Sequence, residues 1–206
     1  DYYASRGLGD VYKRQVYMRA IKAFDSDLCA TLGKGIMQYE PGKTYKENEA
    51  KCAHNGFHCA ENPLCALGYY SGMNSRFFIV EAGGEINQDG SGTRMSCTEI
   101  TLLKEISRIQ LAVMACEYIR KHPDREEKAT HLNDNAGIVN TRGDFIIVRG
   151  KKPKGKGVKG SYIFLIEEKK HSREIEHIQA LYVDGTIIKA NKYYGLRGVA
   201  ICEEKN

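Results

Sequence analysis

The chain has 206 residues, an apolar share of 42%, a formal net charge of +5 and seven cysteines. That length suits one domain, or one domain with an appendage, able to bury a core without disulfide or metal staples. No apolar run reaches membrane-spanning length and no signal peptide is legible, so the expectation is a soluble, cytoplasmic protein with reduced thiols and no membrane partner.

Residues 1–15 read DYYASRGLGDVYKRQ, which resembles a translated sequencing-adapter read-through. Residues 1–17 are therefore set aside as a non-native leader, and Met18 is the expected start. Residues 21–24 form a short apolar strand. The turn Glu40-Pro41-Gly42 suits a hairpin between residues 34–39 and 43–45, because proline fixes φ at the second turn position and glycine permits positive φ at the third. Residues 53–59 read as a strand. Asn62-Pro63 then reads as an N-cap with proline at the first helical position, opening a short helix through Tyr70. Residues 76–81 are a strand by aromatic and β-branched content, and the Gly-rich stretch 83–94 is a loop or hairpin tip. In residues 98–121, Ile100, Leu103, Ile106, Ile109, Val113, Cys116 and Ile119 recur at helical spacing, which predicts one long helix ended by His122-Pro123.

Residues 124–135 read as a polar linker. Beyond it the chain is mostly strand, near residues 137–140, 145–148, 162–167, 175–183, 186–189 and 199–202. Val183-Asp184-Gly185-Thr186 reads as a two-residue hairpin turn. The expected class is α+β. A mixed N-terminal part (18–123) carries the long helix, and a β-rich C-terminal part (136–206) follows the linker. Residues 149–159, Arg-Gly-Lys-Lys-Pro-Lys-Gly-Lys-Gly-Val-Lys, hold cations and no acid. They read as a solvated basic loop, which favours anionic partners.

The densest chemistry lies in Asn55-Gly-Phe-His-Cys-Ala-Glu-Asn-Pro-Leu64 and Tyr69-Tyr70. This stretch resembles the Gly-Phe-His-x-Cys-Glu-x-Pro segment of a domain family found in bacteriophages and prophages. The likeness extends to residues 38–45, to Ser75-Arg76-Phe77-Phe78-Ile79-Val80-Glu81-Ala82, and to residues 157–162, 182–185 and 192–194. It implies a phage or prophage origin and a bacterial host cytoplasm. Relatives carry small-residue repeats suggestive of a short β-solenoid, echoed here only by Asn140-Thr141-Arg142-Gly143-Asp144.

These residue types admit several chemistries. Cys52, His54, His58 and Cys59, with Cys65 nearby, are zinc-type ligands, but adjacent strand residues point to opposite faces, so no metal is assigned. Cys59 with His58 or His54 makes a poor nucleophile pair, because such partners converge from distant segments. Gly56-Phe57-His58 followed by the short helix looks like the NAD-holding strand and helix of ADP-ribosyltransferase-like folds. No late strand offers an unmistakable catalytic glutamate for the carboxylate that transfer chemistry needs, and Glu167-Glu168 and Glu203-Glu204 are candidates only by elimination. No cofactor follows from this, and nucleic-acid motifs are absent. The reading adopted is a non-catalytic phage protein that sequesters a small anionic, nucleotide-derived ligand, a sponge for a defence signal. The ligand-binding residues are then His58, Tyr69, Tyr70, Arg76, Arg149, Lys154, Lys156, Lys159 and Tyr162, with Tyr39 in the same pocket. An ADP-ribosyltransferase-like enzyme and a structural phage module, which would form a homo-oligomer, are the alternatives.

Overall fold

The structure, a computed structural model, describes residues 17–32, 35–88, 93–125 and 129–201. The leader as far as residue 16 and the expectations on Lys34, Glu203 and Glu204 lie outside them. Tyr17 lies at the surface against Gly83, 2.7 Å from where a Cβ would stand.

The N-terminal part is built from β1 (Met18–Phe24), β2 (Cys29–Ala30), β3 (Met37–Gln38), β4 (Thr44–Lys46) and β5 (Phe57–Ala60). It continues with α1 (Pro63–Tyr69), β6 (Arg76–Gln88), β7 (Arg94–Ile106) and α2 (Arg108–Lys121). β1 pairs with β6 along its whole length and touches β5 at Ile21↔Ala60. β7 carries β6 on one side and β5 and β4 on the other. The ring β1–β6–β7–β5–β1 is therefore closed, a small barrel lined by Ala20, Phe24, Phe57, Phe78, Val80, Met95, Ile100 and Leu102.

The expected α+β class with one long helix is wrong: the protein is mostly β, 49% strand and 14% helical, with two short helices. Residues 98–106 belong to β7. Two register shifts against β6, between Ile79/Val80 and between Gly83/Ile86, break the strict alternation of buried residues. Cys97, Ile100, Leu102 and Ile106 are buried while Leu103, Lys104 and Glu105 are exposed, so bulges lend a strand the three- and four-residue spacings of a helix. The helix begins only at Ser107. Its hydroxyl accepts from Gln110 N–H at 3.1 Å, and the Gln110 side chain accepts from Ser107 N–H at 2.8 Å, a reciprocal capping box.

The expected hairpin about Pro41 is also corrected. The turn is present, with Gly42 at φ +77° and Lys43 N–H donating to Glu40 C=O, but β3 pairs with β2 and β4 with β7. α1 opens as expected: Asn62 Oδ1 accepts from Leu64 N–H at 2.9 Å, ahead of Pro63.

The C-terminal part comprises β8 (Leu132–Val139), β9 (Phe145–Gly157), β10 (Tyr162–Glu168), β11 (Ile175–Tyr182), β12 (Tyr193–Tyr194) and β13 (Ala200–Ile201). β8, β9 and β10 stack parallel, so Leu132, Ile147 and Phe164 form one column and Asn133, Val148 and Leu165 the next. Residues 149–157 are thus strand, not the expected loop. Residues 186–189 are not a strand either. Asp184 accepts from Thr186 and Ile188 N–H at 2.6 and 3.1 Å, folding an Asx turn where a hairpin was expected.

α1 and α2 lie between barrel and C-terminal sheet in one continuous core. The barrel contributes Ile21, Ala23 and Phe77, the helices Leu64, Leu67, Leu111 and Ile119, and the sheet Phe145, Ile147, Phe164 and Ile166. Ala129 and Leu132, at the expected linker, pack against the same core. Among the described residues no helix is long and apolar enough to cross a membrane.

Candidate functional site

The outer face of β9 is dictated by glycines. A Cβ at Gly155 would stand 2.4 Å from Ile163 Cγ2, and one at Gly157 would stand 2.7 Å from Val139 Cγ1. In β8, a Cβ at Gly137 would stand 2.7 Å from Val148 Cγ2. These positions face inward against a side-chain layer that leaves no room. The strand period of two then turns Lys154 and Lys156 to the opposite, outer face. Gly137, Gly155 and Gly157 are thus required by packing inside the sheet.

β12 completes this face. Tyr194 pairs with Gly155 and is buried, its hydroxyl accepting from Lys189 N–H at 2.8 Å. Its neighbour Tyr193 turns outward, half-buried. The Lys154 and Lys156 ammonium groups lie 5.1 and 4.6 Å from the Tyr193 ring centroid. Ala136 and Ile138 of β8 lie in register with the two lysines, and Ile138 is exposed. The result is a face that carries an aromatic ring, two ammonium groups and an apolar margin. Positive charge beside a π surface is the combination that engages an anionic ligand carrying a planar ring.

The remaining residues expected at the site lie elsewhere and mostly have structural partners. Arg76 grips Glu105 with two parallel bonds of 2.6 and 2.7 Å, which hold the Glu105 carboxyl below its usual range. Arg149 is buried. It bonds Glu168 at 2.8 Å and the carbonyls of Pro123 and Arg173, and Lys151 joins Glu168 at 3.2 Å. Glu168 is thereby committed to an ion-pair network. The Tyr70 hydroxyl accepts from Thr31 N–H at 2.8 Å, and the Arg94 guanidinium donates to the Tyr69 hydroxyl at 3.5 Å. The Tyr162 ring packs on Tyr182 at 4.9 Å, and the stem of Lys159 runs across Gly185. Tyr39 is buried within the barrel, and burial pushes its hydroxyl pKa up.

His58 accepts from Ala53 N–H at 2.9 Å through Nε2, clamping a turn in which Ala53 takes a φ of +65°. Burial, then the nearby Lys22 charge, lowers its pKa, in keeping with an acceptor that must stay neutral. Cys59 points into the barrel, Cys52 donates to Arg94 C=O at 3.8 Å, and Cys65 accepts from Thr93 Oγ1 at 3.0 Å. Among the described residues no three His, Cys, Asp or Glu side chains converge on a metal position.

Two clusters escaped the sequence reading. Lys22 is 7% exposed inside the barrel, donating to His58 C=O at 2.8 Å. Its signal was available, since Lys22 stands in phase with Ala20 and Phe24. The second cluster joins the two parts of the molecule. Arg108 bonds Asp144 at 2.7 Å and the carbonyls of Ser71 and Gly72, and His131 Nε2 lies 3.1 Å from the other Asp144 oxygen. Burial pushes the Asp144 carboxyl up, but bonds from His131 and Arg108 prevail and hold it far below the usual range. Nothing in the sequence links these three separated positions.

No curated protein and no solved structure matches the chain. Residues 18–114, which take in the barrel, α1 and the first half of α2, are similar to a family described as a domain of unknown function, DUF7666.

Proposed function

We propose that this protein binds a small anionic, nucleotide-derived ligand without turning it over, and that Lys154, Lys156 and Tyr193 form the contact surface. The carrying observation is the placement of two ammonium groups within about 5 Å of one outward-facing tyrosine ring, on a face whose opposite side is closed by glycine packing. Tyr193 supplies a surface for a base, and the lysines act as point charges for phosphate. Arg76 and Arg149 drop out as phosphate ligands because each already holds a carboxylate. Glu168 drops out as a transferase carboxylate for the same reason. A phage or prophage origin, which the resemblance of the segments about Gly56-Phe57-His58 and Ser75–Ala82 implies, would suit a role in removing a nucleotide signal from a host cell.

Calorimetric titration with cyclic dinucleotides, cyclic ADP-ribose and simple nucleoside phosphates tests this reading. The expected result is a saturable heat that weakens with salt and disappears in the Lys154→Ala/Lys156→Ala double variant, with the ligand recovered intact by chromatography. Silence across the whole panel, or release of a cleaved product such as nicotinamide from NAD, defeats it.

A further inference from the structure

The lysine face has an order across its strands that two ammonium groups alone do not explain. Ile138 of β8 is in register with Lys156 of β9. Tyr194 pairs antiparallel with Gly155, so Tyr193 stands beside Lys156 and Gly195 beside Lys154. Tyr193 in turn pairs with Ile201 of β13. Side chains paired across strands share one face, so one row runs Ile138, Lys156, Tyr193, Ile201. Burial agrees with this row. The chain neighbours Val139 and Tyr194 are buried, whereas Ile138 is 45% and Ile201 37% exposed.

Gly195 shapes the second row. Its φ of −94° and ψ of −166° are extended backbone that any residue adopts, so conformation does not call for glycine. A Cβ there would stand 3.2 Å from Ile201 Cδ1. By the alternation that turns Tyr193 outward, that position belongs to the outer face. The Ile201 side chain therefore lies against Gly195, and with the Tyr193 ring it forms a low apolar shelf beside the lysines. The lysine column is flanked by apolar ground on both sides: Ala136 and Ile138 on β8, and Tyr193 with Ile201 on β12 and β13. Neighbouring strands lie about 4.8 Å apart, so Ile138 and Tyr193 are about 10 Å apart with Lys156 midway. A single isoleucine at a surface needs no explanation. Two of them in one row, on either side of a cation, match a ligand that is apolar at both ends and anionic in the middle.

We propose that the ligand of this face is a dinucleotide carrying two phosphates, an inference that rests on the nucleotide-binding reading above and specifies its class. One base lies on Ala136 and Ile138, the other on Tyr193 and Ile201, and the phosphates meet Lys154 and Lys156. The two lysines are about 6.6 Å apart along β9, two residues of strand, so each serves a separate phosphate. A ligand with one base covers one flank and leaves the other in water. A ligand with a base on each side of its phosphates covers both, and the apolar area removed from water favours it.

The test is calorimetry on the whole chain at one fixed salt concentration with three probes. Cyclic diadenylate has a base at each end, AMP has one base and a comparable charge, and ATP has one base and more charge. Cyclic diadenylate should bind about tenfold more tightly than either of the others, the increment that one further stacked base supplies. Equal or tighter binding of AMP or ATP overturns the two-base class while leaving a nucleotide ligand in place. Silence from all three probes defeats both readings. A long single strand of oligodeoxyadenylate that binds more than about tenfold more tightly than cyclic diadenylate assigns the face to nucleic acid and also overturns the proposal. Ile138→Ser should lower the affinity for cyclic diadenylate about tenfold, toward that of AMP. An unchanged affinity in a folded Ile138→Ser protein removes the second base platform and overturns the class. The comparison of probes on the parent chain needs no variant, so misfolding of Ile138→Ser leaves the proposal testable.

Discussion

Lys22 in the barrel and Lys154 in the C-terminal sheet are the same residue type on strands, yet one is buried and the other lies on an outer face. The difference is phase. Lys22 falls at the even positions of β1, with Ala20 and Phe24, so the closed barrel swallows it. Lys154 and Lys156 alternate with Gly155 and Gly157, whose inward positions admit no side chain, so the sheet expels them. Strand parity thus decides where charge goes, and composition alone does not. It also separates two kinds of use. On the proposed function an outer lysine pair beside a ring meets the ligand, whereas a buried ammonium acts on its immediate neighbours.

The comparison breaks most visibly where the two parts are joined. Asp144→Ala leaves the Arg108 guanidinium buried without its carboxylate, and a loss of about 3–5 kcal/mol in denaturant unfolding is expected. A loss below about 1 kcal/mol would show that the joint is not needed. The same carboxyl sets an acid limit. Its folded pKa is depressed, so its stabilisation is complete above the ordinary carboxylate range near pH 4 and is lost as pH falls through the depressed value. Asp144→Asn should therefore flatten the acid limb of a melting-temperature profile, and an unaltered limb would assign the acid sensitivity elsewhere.

Gly155→Val sharpens the parity argument. It drives a branched side chain toward Ile163, with an expected cost of about 1–3 kcal/mol or more. A neutral outcome would mean that the glycine is not forced by packing. His58 offers a smaller effect of similar logic in the other part. Its folded pKa is lowered, so its contribution is present above the ordinary imidazole range near pH 6.5 and declines as pH falls toward the folded value. Stability between about pH 7 and 5 should then decline less in His58→Gln than in the parent, as urea midpoints at each pH would report. The smallest effect is the control. Lys154→Ala should change stability by no more than about 0.5 kcal/mol, because a half-buried lysine head on a sheet face contributes little.

Legibility in the sequence followed how local each signal was. The Asn62 cap, the Pro41-Gly42 turn and the strands β1 and β10 were readable because each rests on neighbouring residues. β7 was not, because its bulges reproduce helical spacing and only pairing with β6 reveals them. The cationic stretch was recognised for its charge but misread as a loop, since Gly155 and Gly157 suggested freedom where the packed sheet imposes confinement. Lys154 and Lys156 could be named from the sequence, but Tyr193, which joins them through β12, could not. The Arg108–Asp144–His131 joint depends on tertiary approach alone. Arg76 and Arg149 illustrate the reverse failure: a guanidinium fit for phosphate is equally fit for a carboxylate, and Glu105 and Glu168 were already in place.

The most direct test of the ligand face compares nucleotide binding, by calorimetry at fixed low salt, in the Lys154→Ala/Lys156→Ala, Tyr193→Ala and Arg76→Ala variants. Loss of binding in the first two, with Arg76→Ala retaining the parent affinity, is the predicted result. If Arg76→Ala abolishes binding while the double lysine variant keeps it, the outer face of β9 is not where the ligand sits.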